Sequence, residues 1–266
     1  MQDYNELFTF DIERFETIGK NNHDSYVNAM PFKHIVLEDF LPEEVANLAL
    51  ENYPNPSSEI WLDWKKRNTT NQPKKQGIGH ASRLNGVSPQ LLNLLNSFNS
   101  YPFLNFLEKL TGVEKLLPDP YFHGGGLHQV LNGGKLDVHT DFNDLRSLNL
   151  YRRINVLFYL NKDWKKEYNG NLELWDMDCK ECVKSIEPTF NKLVVFNTDK
   201  GSFHGHPKPL NTPDGMTRKS IALYYYTALP VPGAQYDGNT DWQNISDSSA
   251  NKAHNKLLQG IKNFGR

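Results

Sequence analysis

His139-Thr140-Asp141 is the tripeptide that could do the most chemistry in this sequence. Along an extended chain, residues two apart point to the same face, so the imidazole and the carboxylate are presented together, as two ligands of one metal ion would be. A third ligand has to come from a distant segment. His204 and His206, which follow the apolar run 193–196, are the candidates. Two histidines and one carboxylate form a facial triad that leaves positions open on the metal, the arrangement suited to non-haem Fe(II) and O2 chemistry. Alone, His-x-Asp is a weak signal that many chains carry by chance. It gains weight from the later histidines and from Arg218 beyond them. An arginine facing a barrel interior needs an anionic partner, because an unpaired buried guanidinium is costly. Its planar fork suits a carboxylate. The alternation of Arg218, Ser220 and Ala222 against Lys219 and Ile221 does not itself say which set faces inward, and a solvated surface arginine is the competing reading.

The elements that would position these residues change character along the chain. Pro42 followed by Glu43 and Glu44 reads as a helix start, with Val45, Leu48 and Leu50 behind it. Ser88-Pro89 opens a second helix carrying Leu91, Leu92, Leu94 and Leu95, and Pro102 opens a third that ends at Gly112. Between them, 55–86 is loop-like, holding Trp61, Trp64 and five cations (Lys65, Lys66, Arg67, Lys74 and Lys75). From about Pro118 the period becomes two: Ile154, Val156, Phe158 and Leu160 alternate with Arg153, Asn155, Leu157 and Tyr159. Asn169-Gly170-Asn171 is a turn, and 172–175, 193–196 and 221–227 read as further strands. The fold class expected is mainly β with flanking helices, a sandwich or jelly roll. No linker separates two units, so one domain is expected. Helical support spans about 1–117, a β core about 118–230, and a tail with a helix over 251–264 about 231–266.

Composition narrows the function classes. With 29 Lys and Arg against 31 Asp and Glu, the chain lacks the basic excess of a general nucleic-acid binder. No run approaches the roughly 18 apolar residues that span a bilayer, and residues 1–10 do not resemble a secretory signal. Cys179 and Cys182 are too few for a disulfide framework and read as incidental thiols in a hairpin, so a reducing, cytoplasmic setting is expected. His80, His123 and His128 read as core or surface histidines.

The run Arg152-Arg153-Ile154-Asn155-Val156-Leu157-Phe158-Tyr159-Leu160-Asn161-Lys162-Asp163-Trp164 closely resembles a segment of the Fe(II)/2-oxoglutarate-dependent dioxygenases, in their prolyl 4-hydroxylase-like branch. The similarity continues through Gly170-Asn171-Leu172, Ile186-Glu187-Pro188, Leu193-Val194-Val195-Phe196 and Arg218-Lys219-Ser220-Ile221-Ala222, over roughly 127–226. The opening Pro31-Phe32-Lys33-His34-Ile35-Val36 with Phe40-Leu41-Pro42 also resembles the start of such domains, whereas 55–86 has no parallel.

The resemblance implies a double-stranded β-helix (jelly roll, cupin-like). It implies iron held by His139, Asp141 and His204, with His204 preferred over His206 because Ser202-Phe203-His204 matches the family's approach to the distal ligand. Arg218 and Tyr159 would bind the distal carboxylate of 2-oxoglutarate, with Ser220 and Gln129 as further co-substrate contacts. Gln129 takes the place where the family usually has a tyrosine. A stretch with Pro207, Pro209 and Pro213 makes the gap between His204 and Arg218 longer than usual. The activity implied couples oxidative decarboxylation of 2-oxoglutarate by O2 to hydroxylation of a substrate C–H, with ascorbate as reductant and no catalytic group beyond the metal and co-substrate ligands. The substrate expected is a prolyl residue in a peptide or protein. The alternatives are a free amino acid, a sugar or another small molecule on the same core. A non-catalytic jelly-roll binding module is the competing class, but it has no need for this ordered set of residues. Trp61 and Trp64 are candidates for a substrate lid.

Overall fold

The computed structural model describes residues 10–63, 70–79, 81–84, 86–243 and 245. The helix expected over 251–264, Trp64 and His80 lie outside them. Five α-helices are described: α1 (Ile12–Val27), α2 (Glu43–Glu51), α3 (Ala81–Leu84), α4 (Pro89–Phe98) and α5 (Tyr101–Thr111). α4 starts where the sequence says it should, with the Ser88 hydroxyl accepting from the Leu91 N–H at 3.2 Å and Pro89 in its first turn. α5 ends on Gly112, whose φ of 72° is the left-handed conformation glycine adopts without strain. α1 has no clear apolar stripe in sequence, since it buries only Phe15, Gly19 and Tyr26. Gly19 has a packing reason: a Cβ there would sit 2.7 Å from the Phe106 carbonyl oxygen of α5.

Fourteen strands follow one another as β1 (His34–Leu37), β2 (Leu62–Asp63), β3 (Lys75–Ile78), β4 (Leu117–Pro118), β5 (Gly126–Val130), β6 (Leu136–Thr140) and β7 (Asp144–Leu145), then β8 (Leu150–Tyr159), β9 (Leu172–Trp175), β10 (Cys182–Ile186), β11 (Lys192–Asn197), β12 (His204–His206), β13 (Arg218–Thr227) and β14 (Asp241–Trp242). They form two antiparallel sheets of a jelly roll. The major one runs β1-β11-β8-β13-β5-β3-β2, with β4 on β13 and β7 on β8; the minor one runs β10-β9-β12-β6-β14.

The N-terminal third is therefore more than helical support. β1 pairs with β11, β3 with β5 and β2 with β3, so two strands from within 55–86 extend the major sheet. β3 escapes a sequence reading because Lys-Gln-Gly-Ile has no apolar alternation. Lys75 lines the cavity between the sheets, and Ile78 joins the main core.

Packing settles which face of each strand is inside. Ile154, Val156 and Phe158 of β8 and Ile221, Leu223 and Tyr225 of β13 join the helices in the main core. There the rings of Phe15, Phe40, Phe98, Phe103 and Phe106 meet edge-on or tilted, with centroids 4.9–6.1 Å apart. The alternate residues, Asn155, Leu157, Arg218, Ser220, Ala222 and Tyr224, consequently face the space between the sheets.

Candidate metal centre

β6 and β12 are neighbours in the minor sheet, and their register places His204 directly opposite His139. Asp141 follows β6 by one residue, so it stays on the face of His139. One nitrogen from each histidine and one Asp141 oxygen lie within 4.8 Å of one another. His139 Nε2 is 3.6 Å from Asp141 Oδ1, and His204 Nε2 is 3.4 Å from Asp141 Oδ2. Ligands at about 2.0–2.2 Å from one metal and at right angles lie about 3 Å apart, so the cluster needs only a small contraction to hold an ion.

Each imidazole is also set in the tautomer a metal requires. His139 Nδ1 lies 2.8 Å from the Asp137 carbonyl oxygen, and His204 Nδ1 lies 2.9 Å from that of Ser202. A carbonyl can only accept, so Nδ1 carries the proton and Nε2 keeps its lone pair for the cavity. Burial, then the proximity of His204, holds His139 below the ordinary imidazole range and so keeps it neutral.

Asp141 is held as an anion. Burial alone would raise its pKa, but the Arg152 guanidinium beside it outweighs this and holds it well below the usual carboxylate range. Oδ2 accepts from Arg152 Nη2 at 2.8 Å and from Asn155 Nδ2 at 2.6 Å. Arg152 is only 1 % exposed. Its guanidinium lies 3.3 Å from the Tyr224 ring centroid and 4.8 Å from that of Phe142, and its Nε donates to Asn155 Oδ1. The sequence reading missed Arg152 and Asn155 as functional groups, although both stand in its strand motif. Parity on β8 could have found Asn155, which alternates with the core residues, but not Arg152, which a register shift in the β8–β13 pairing brings to Asp141.

On the opposite wall, Arg218 is buried and makes no ion pair with a described residue. Its Nε donates to the Gly170 carbonyl oxygen at 2.6 Å and its Nη2 to the Tyr159 hydroxyl at 3.1 Å. A buried guanidinium with only neutral partners is an anion-binding site. Ser220 lines the same cavity one row along β13, in register with Tyr159. His206 lines the cavity too, but it stands outside the three-ligand cluster, and its buried Nδ1 has no partner.

Two expected contacts are corrected. Gln129 points away from the cavity: its amide donates to Gln76 Oε1 at 2.7 Å and accepts from the Thr217 hydroxyl at 2.9 Å. On β5 the cavity residues are its neighbours His128 and Val130, so His128 belongs to the site and not merely to the core. Trp61 is no lid. It packs in the main core beside Tyr53, with ring centroids 6.0 Å apart, and its Nε1 donates to the Asn55 carbonyl oxygen. His123, by contrast, is exposed as expected. Two contributors had no sequence signal. Trp242 of β14 stacks on His139 with centroids 4.7 Å apart, and Lys75 of β3 lines the cavity.

Residues 125–226, the segment holding all these strands from β5 to β13, match the family model of the 2OG-Fe(II) oxygenase superfamily. Over 79 residues the chain is 37 % identical to mouse prolyl 3-hydroxylase OGFOD1 and, over the same length, 34 % identical to the Xenopus laevis protein of that name. These stretches cover 28 % of this chain but only 14 % and 15 % of the relatives. In fold, the chain is similar to a Trichoplax adhaerens prolyl hydroxylase solved with a hypoxia-inducible-factor peptide fragment. That match has a TM-score of 0.56 and 19 % identity, over 82 % of this chain and 93 % of the other. A prolyl 4-hydroxylase from Phytophthora capsici gives a TM-score of 0.54 at 19 % identity, over 97 % of this chain and 78 % of that one.

Proposed function

We propose, from the premise that through residues 125–226 the chain belongs to the 2OG-Fe(II) oxygenase superfamily, that it hydroxylates a prolyl residue in a peptide or protein. One observation carries the oxygenase reading: a buried His-Asp-His cluster faces, across a single cavity, a buried arginine that has no anion of its own. The prolyl target is supported by the similarity to the mouse prolyl 3-hydroxylase OGFOD1.

His139, Asp141 and His204 would hold Fe(II), and the donor set fits it: two neutral imidazoles with free Nε2 lone pairs and one ionised carboxylate. When bound, Fe(II) would supply the centre at which O2 is activated, with 2-oxoglutarate giving up two of the electrons that reduce it, chemistry that side chains alone lack. The protein's own part is orientation. Arg152 and Asn155 fix the Asp141 carboxylate. Arg218, Tyr159 and Ser220 would receive the distal carboxylate of 2-oxoglutarate, with the Tyr159 hydroxyl, kept protonated by burial, as a neutral donor. Trp242 shields the open side of His139. Ascorbate is a reasonable reductant for such a centre. The two free cysteines, both shifted upward by burial, are compatible with a reducing, cytoplasmic setting.

The test is succinate formation with Fe(II), 2-oxoglutarate, O2 and ascorbate, combined with mass spectrometry of prolyl peptides. The expected result is 2-oxoglutarate-dependent succinate and a product heavier by one oxygen atom, with amino-acid analysis separating 3- from 4-hydroxyproline. Substrate oxidation that ignores 2-oxoglutarate would overturn the reading.

A further inference from the structure

Lys75, Val130 and Arg218 stand in one row across β3, β5 and β13, each in register with the next. All three line the metal cavity. Adjacent strands lie about 4.8 Å apart, so the two cationic residues leave the sheet roughly 10 Å from each other. In the next row, Gly77 puts no side chain on the face between Lys75 and the metal side of the cavity. The Lys75 ammonium has no ion pair or hydrogen bond with a described residue.

Counting charge around the cavity shows what is missing. Asp141 offsets Arg152, and 2-oxoglutarate would bring one carboxylate to the metal and the other to Arg218. Burial holds His128 well below the ordinary imidazole range and so neutral. Lys75 is left as a half-buried positive charge with no anionic partner among the described residues, which is costly unless an anion completes it. The co-substrate cannot be that anion, because both of its carboxylates are spoken for, one at the metal and one at Arg218 with Tyr159.

We propose that Lys75 is the substrate anchor of this cavity, binding a carboxylate carried by the prolyl substrate, so that the protein selects targets with an acidic group beside the proline. This rests on the oxygenase reading above. Burial lowers the ammonium to about 8; Asp141 pulls it up, while Arg218 and Arg152 depress it further, a balance that a bound carboxylate would tip towards the charged form. The carboxylate can come from an Asp or Glu side chain next to the proline, or from the α-carboxylate of a terminal proline.

The experiment loads the protein anaerobically with Fe(II) and 2-oxoglutarate and measures competitive retention of blocked prolyl peptides by mass spectrometry. One arm pairs peptides with Glu or Asp beside the proline against the same peptides with Gln or Asn. The other pairs N-acetylproline against its amide. In at least one arm the acid should be retained about tenfold or more over its neutral partner. That ratio should fall to near one in Lys75→Met and in Lys75→Gln, and largely return in Lys75→Arg. The proposal is overturned if neither arm shows an acid preference, or if the preference survives both neutral substitutions. It is equally overturned if Lys75→Met instead weakens 2-oxoglutarate binding about tenfold with the preference intact, which would make Lys75 a co-substrate contact. Failure of the oxygenase reading shows separately, as wild-type protein that does not bind 2-oxoglutarate in the presence of Fe(II).

Discussion

The two faces of the major sheet are made by alternate residues of the same strands, yet they obey different physics. On the outer face, Phe158 and Tyr225 pack against Phe98 and Phe103 of the helices, and the Tyr225 hydroxyl finds the Phe98 carbonyl oxygen. Those four rings are fully buried, and their one polar atom is satisfied by the protein itself. On the inner face, one residue away along β8 and β13, Asn155, Arg218 and Ser220 are equally hidden from bulk water but point polar atoms into a cavity. Arg152, which reaches Asp141 from beyond a register shift in the β8–β13 pairing, keeps a buried Nη1 with no partner among the described residues, and Arg218 has no carboxylate among them. The outer face holds the fold together, while the inner face carries polar groups that its own protein leaves incompletely paired. Such groups cost stability and are expected where ligands bind.

The largest effect that could break this contrast is on the inner face. His139→Ala removes one of three ligands, and Fe(II) affinity should fall at least about a thousandfold, read by metal titration under anaerobic conditions. Retention of tight binding would mean that His206 or another group is the true ligand. Next comes the outer face: Phe103→Ala opens a hole among at least four aromatic rings and should cost about 3–5 kcal/mol in urea unfolding. Arg218→Met sharpens the comparison further. Affinity for 2-oxoglutarate should drop by about 2–4 kcal/mol, while unfolding stability of the unliganded protein holds or rises, because an uncompensated buried charge has gone. A large loss of stability would place Arg218 with the outer face in kind.

The smallest effect carries the comparison to the minor sheet. Glu173 of β9 is buried beside Trp175, and burial raises its carboxyl to about 7, against the favourable pull of Lys208 and the Trp175 hydrogen bond. The unfolded chain releases this proton at about 4.3. Between those values the folded state binds more protons, so this group's contribution to stability falls as pH rises from about 4.3 to about 7 and is level beyond. The melting temperature of Glu173→Gln should therefore gain on that of the wild type across this window. An unchanged difference between pH 5 and pH 8 would show that Glu173 is solvated in solution.

Local pattern and tertiary structure divided the information along a clear line. Period-two alternation through Ile154–Val156–Phe158 and the caps at Ser88 and Gly112 are consequences of neighbouring residues, so the core strands, α4 and α5 were legible without the fold. The two-residue spacing of His139 and Asp141, with the motif that brings His204 and Arg218, was legible for the same reason. What no local pattern holds is parity across the sheet. Gln129 and His128 are equally polar neighbours, and only the register of β5 against β13 sends one to the outer face and the other into the cavity. Trp61 and Lys75 likewise sit in one irregular stretch. Pairing of β3 with β5 made the lysine a wall of the site and left the tryptophan in the core. Residue types and their spacing set which chemistry was available. The tertiary structure decided which polar residues were left facing the cavity without a partner, because that depends on strands far apart in the chain lying side by side.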